Sequence, residues 1–106
     1  MAWFALLFAG LLEVVWAFSM KQSEGFTKLL PTTITIVAMI ASFSLLAWSM
    51  RSLPLGTAYT IWTGIGAVGA FIVGIMFLGE AVNPMRIGAA ALIVSGMVLM
   101  KLSSPA

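Results

Sequence analysis

Residues Ser52–Gly79 read SLPLGTAYTIWTGIGAVGAFIVGIMFLG, twenty-eight consecutive positions without a charge. An α-helix rises 1.5 Å per residue, so about 20 residues cross the ~30 Å hydrocarbon layer of a bilayer. A helix apolar on every side needs either lipid or a large protein core around it. A chain of 106 residues has no such core to offer. This segment therefore reads as a membrane span.

Three further stretches repeat the pattern. Ala2–Met20 has 19 residues with one charge, Leu29–Met50 has 22 with none, and Ile87–Met100 has 14 with none. The last reaches spanning length as Pro84–Lys101 when Arg86 and Lys101 turn their charged ends toward the interface. The expected architecture is all-α: a single membrane domain over 1–106, with four transmembrane helices near 2–20, 30–50, 54–79 and 85–101. A cleaved signal peptide is disfavoured for the first stretch, because no basic region precedes it and Glu13 interrupts it.

Composition agrees. The chain is 62% hydrophobic and 8% charged, against about 25% charged in soluble domains. A net charge of +2 gives no reason to expect nucleic acid as a partner. There are no cysteines and no histidines. Disulfides, thiolate metal sites and imidazole proton transfer are thereby excluded, and neither metal nor cofactor is expected.

The connections are short: KQSEGFTK at Lys21–Lys28, RSLP at Arg51–Pro54 and EAVNPMR at Glu80–Arg86. Gly25 and Asn83-Pro84 are turn signals. One side of the membrane receives Arg51 and Lys101, the other Lys21, Lys28 and Arg86. Lys and Arg in short loops set orientation, and here the sides differ by one charge. Either that charge suffices, or the chain inserts both ways and pairs as an antiparallel homodimer. Such a dimer would supply between chains the inverted symmetry that larger transporters carry within one.

Glu13 is the carboxylate inside a span. An ionised side chain there costs about 2.5–3.5 kcal/mol on insertion scales, and such residues mark ion or substrate pathways. Gly10 and Trp16 lie three positions away on either side, on the same helix face. Gly10 permits close approach, and the Trp16 indole N–H is a donor for the carboxylate. In the third span, Tyr59 and Trp62 share a face, and aromatic faces attract cations. Gly64 and Gly66 follow; they serve either close packing or a kink. Ser42 lies in an apolar part of the second span. In the fourth, Ala89 and Gly96 share a face beside Ser95, a candidate dimer seam. The same small residues also suit any membrane helix.

Together, GLLEVVW at Gly10–Trp16, GTAYTIWTGIG at Gly56–Gly66 and EGFTKLLP at Glu24–Pro31 resemble the small multidrug resistance family over nearly the whole chain. Trp16, where the multidrug subtype typically has a small residue, resembles the guanidinium-exporter subtype. The resemblance implies a dual-topology antiparallel homodimer in the bacterial cytoplasmic (inner) membrane. It would exchange protons for guanidinium or similar small organic cations by alternating access. It assigns proton and substrate binding to Glu13. Gly10, Trp16, Ser42, Tyr59 and Trp62 become its lining or orienting residues, and Gly64 and Gly66 the kink. Trp16 and Ser42 are expected to orient the carboxylate by hydrogen bonding. Ala89 departs from the glycine that often opens the family's dimer motif. The alternatives are a multidrug exporter favouring bulky apolar cations, a proton-conducting proteolipid subunit and a helix-packing subunit without transport of its own.

Overall fold

The computed structural model describes residues 1–103. Four helices follow in order: α1 Ala2–Gln22, α2 Leu29–Ser49, α3 Leu55–Leu78 and α4 Pro84–Ser103. Each is long and apolar enough to cross a membrane. The last three residues of the tail lie outside the described region.

Local chemistry sets the helix ends. Ser23 closes α1: its hydroxyl donates to the Met20 carbonyl at 2.7 Å and accepts the Phe26 N–H at 3.0 Å. Pro31 sits in the first turn of α2, where a backbone N–H has no helical partner to lose. Gly79 ends α3 in the left-handed conformation, φ 66°. The next N–H, of Glu80, returns to the Gly74 carbonyl at 3.1 Å, so the chain folds back over the last turn of α3 as left-handed helix ends do. Asn83 caps α4 by accepting the Arg86 N–H at 2.9 Å, and Pro84 occupies the first helical position, where its fixed φ suits helix entry.

Helix α1 is the central element. It packs along α2 and α3, whereas α2 and α3 meet only briefly and α4 rests on α3. The buried core joins Leu6, Ala9, Leu46, Leu53, Ala58, Ile61 and Trp62. It gathers the first half of α1, the end of α2 and the start of α3.

Glycines bring the helices close. A Cβ at Gly10 would overlap Ile65, one at Gly66 would overlap Glu13, and one at Gly69 would overlap Val14. These contacts run in parallel order along α1 and α3, the geometry that small residues permit between membrane helices. On the other side of α3, Met97 of α4 fills the space before Gly64. Helix α4 has no buried residue.

Candidate cation-binding site

Helix α1 carries Glu13 into the α1–α3 seam, where its carboxyl group lies against Gly66. One carboxyl oxygen, Oε1, is buried without a hydrogen-bond partner among the described residues. A buried oxygen with no donor is costly, and the bilayer offers no donor in exchange. The arrangement suits a group whose partners are brought by a ligand.

One turn further, Trp16 begins a run of aromatic rings through three helices. Trp16 meets Phe43 edge-on, with centroids 6.2 Å apart. Phe43 lies 5.7 Å from Trp62, and Trp62 lies 5.6 Å from Tyr59. Trp62 is buried, whereas Phe43 and Tyr59 are exposed. Phe43 and Tyr59 therefore present ring surface outside the core, the kind of surface that attracts an organic cation.

Ser42 works differently from the expectation. Its hydroxyl donates to the Ala9 carbonyl of α1 at 2.7 Å and accepts the Trp62 indole N–H at 3.0 Å. The single hydroxyl proton is committed to Ala9, so none remains for Glu13. Trp16 likewise makes no hydrogen bond to Glu13; its Nε1 is buried without a partner among the described residues. The orienting roles expected of Ser42 and Trp16 are therefore not what this structure displays. Ser42 holds Trp62 and α1 in register, while Trp16 is anchored by its ring. Ser44, by contrast, bonds back to its own helix at Ile40, 2.8 Å.

Two further groups of residues take definite places. Gly64 and Gly66 lie within an unbroken α3, filled by Met97 and Glu13 respectively. Gly10 receives Ile65. Ala89, Ser95 and Gly96 are exposed on α4. Gly96 lines an open groove of about 520 Å³ between α3 and α4, together with Tyr59 and Gly64. Phe43 escaped the sequence reading. A phenylalanine in an apolar span looks the same whether it faces lipid or bridges two tryptophans, and its position beside Ser42 was the one available signal.

Comparison with known proteins adds the ancestry. The family model for the Small Multidrug Resistance protein matches residues 1–94. The guanidinium exporter of Escherichia coli K12 is 60% identical over 104 residues, 98% of this chain and 99% of that protein. The guanidinium exporters of Citrobacter freundii and Salmonella typhimurium are each 58% identical over the same proportions. The chain therefore belongs to the small multidrug resistance family, transporters rather than enzymes, as a multi-pass protein of the bacterial inner membrane.

Proposed function

We propose that this protein is a proton-coupled antiporter that exports guanidinium and small substituted guanidinium ions, with protons and substrate competing for Glu13. The observation that carries the reading is Glu13 itself: a carboxylate within a membrane span, one oxygen buried without a donor among the described residues. Full-length relatives named guanidinium exporters support the substrate.

Guanidinium is planar, cationic and edged with N–H groups. A carboxylate accepts two of them side by side, in short charge-assisted bonds. The rings of Trp16, Phe43, Trp62 and Tyr59 suit its flat face. A quaternary ammonium has no N–H, so it would use the rings and leave the carboxylate's hydrogen-bonding capacity unused. Protonation of Glu13 removes the charge that holds the cation, so guanidinium binding weakens as pH falls. If only the proton-loaded and cation-loaded forms reorient, inward protons drive export. A gradient of one pH unit supplies about 1.4 kcal/mol per proton.

The working unit of this proposal is an antiparallel, dual-topology homodimer with two copies of Glu13. Its support is the near balance of loop charges and the exposure of α4, where Gly88 and Gly96 face open space.

Purified protein in liposomes tests the reading. Guanidinium flux should follow an imposed proton gradient, exceed that of a tetraalkylammonium, and disappear in Glu13→Gln. Flux that survives this substitution would remove Glu13 from the mechanism, and preference for tetraalkylammonium would move the protein to the multidrug subtype.

A further inference from the structure

We propose that Gly66 is the seat of the Glu13 carboxyl group, a positioning residue that sets how deeply the carboxylate lies between α1 and α3. The inference deepens the function proposed above and rests on Glu13 as the binding carboxylate.

The geometry is specific to this pair. A Cβ on Gly66 would overlap Oε1 and Cδ of Glu13 and come within 2.8 Å of its Cγ. Only a hydrogen at position 66 leaves room for the carboxyl group. The flanking contacts of the same seam are apolar: Ile65 against Gly10, and Val14 against Gly69. Three glycines of one seam thus accept three side chains, and the one at Gly66 is the carboxylate. Membrane-helix glycines often serve packing alone. Here the chemistry of the partner separates Gly66 from Gly69.

The unpartnered Oε1 gives the seat its meaning. The contact made by the carboxyl group is one of shape, because the buried oxygen meets no donor among the described residues. Neither a proton nor a guanidinium ion then has to displace a protein hydrogen bond from that oxygen. The depth of the seat sets how far the carboxylate reaches toward a cation. A methyl group at position 66 would push the carboxyl group out of the seam, altering its surroundings and its reach together. Proton and cation affinities would therefore both change, whereas a packing defect elsewhere in the seam would leave the carboxylate in place.

Gly69→Ala is the matched control, since it presses on Val14 instead. The first measurement is thermal unfolding of the purified full-length chain in detergent. Gly66→Ala should destabilise the protein when Glu13 is present, and at least half of that loss should vanish in the Glu13→Ala background. Gly69→Ala should cost the same in both backgrounds. If Gly66→Ala does not fold, recovery of a folded protein in the double variant supports the seat, and failure of the double variant overturns it. Equal losses for Gly66→Ala with and without Glu13 also overturn it.

The second measurement is guanidinium flux in liposomes against pH. Gly66→Ala should move the midpoint of the profile by about one unit, a tenfold change in proton affinity, while Gly69→Ala lowers the rate at an unmoved midpoint. An unmoved midpoint in Gly66→Ala reduces the glycine to packing and overturns the positioning role. If the unsubstituted protein carries no guanidinium, the functional reading fails, and the unfolding cycle still decides the seat.

Discussion

Ser42 shows how one hydroxyl can organise three helices. It is fully buried, it donates to Ala9 of α1, and it holds the indole of Trp62 on α3. Interhelical hydrogen bonds in membranes average about 0.6 kcal/mol and reach about 1.7 kcal/mol. Ser42→Ala removes two and leaves the Trp62 N–H and the Ala9 carbonyl lone pair facing a methyl group. It should cost about 1–2 kcal/mol in unfolding experiments and loosen Trp62 enough to lower guanidinium flux. A variant as stable and as active as the parent would show that the relay is incidental. The residue pattern placed Ser42 in an apolar helix and the family resemblance gave it a partner in Glu13; neither pointed to Trp62 or Ala9, because a serine there satisfies itself as readily on its own backbone, as Ser44 does.

At the scale of elements, helix ends were legible because they depend on neighbours in sequence. Asn83 and Pro84 read as a turn and are the cap and first residue of α4. Gly79 ends α3 with open space around it, so an added Cβ would meet backbone strain and nothing else. Gly79→Ala should therefore destabilise by about 1 kcal/mol, the cost of a left-handed alanine, measurable as a lowered melting temperature. No such rule separated a hinge from a packing surface at Gly64 and Gly66. Both readings need a missing side chain. What meets these glycines is set by Met97 and Glu13, which come from other helices.

The whole molecule is flat, 43 × 35 × 16 Å along its principal axes. It exposes 6553 Å², more than the roughly 5,700 Å² expected of a soluble monomer of this mass. Large apolar side chains dominate that surface, among them Ile36, Ile40, Ile72 and Leu92. Lipid suits such a surface, and a second copy suits the small residues of α4. The two sides of the membrane differ by one Lys or Arg. Arg51→Ala leaves Lys101 alone against Lys21, Lys28 and Arg86, and should commit the chain to one orientation with the latter three in the cytoplasm. The chain has no cysteine, so a cysteine introduced at Ser103 reports its side directly. It should be labelled from both sides in the parent and from outside alone in Arg51→Ala. One-sided labelling in the parent would end the dual-topology reading.

By itself the sequence determined the solvent, the four spans, the turn at Asn83-Pro84 and the carboxylate that has to earn its place in lipid. These follow from composition and short-range spacing, which act before any tertiary contact forms. Only the tertiary structure decided that Ser42 serves Trp62 and Ala9, that Phe43 joins two tryptophans, and that Gly66 faces Glu13. Those are meetings between helices. In an apolar chain every face of a helix is hydrophobic, so no amphipathic pattern records which face turns toward which neighbour. The choice is made by close packing of small residues against large ones, and it becomes visible only when the helices are assembled.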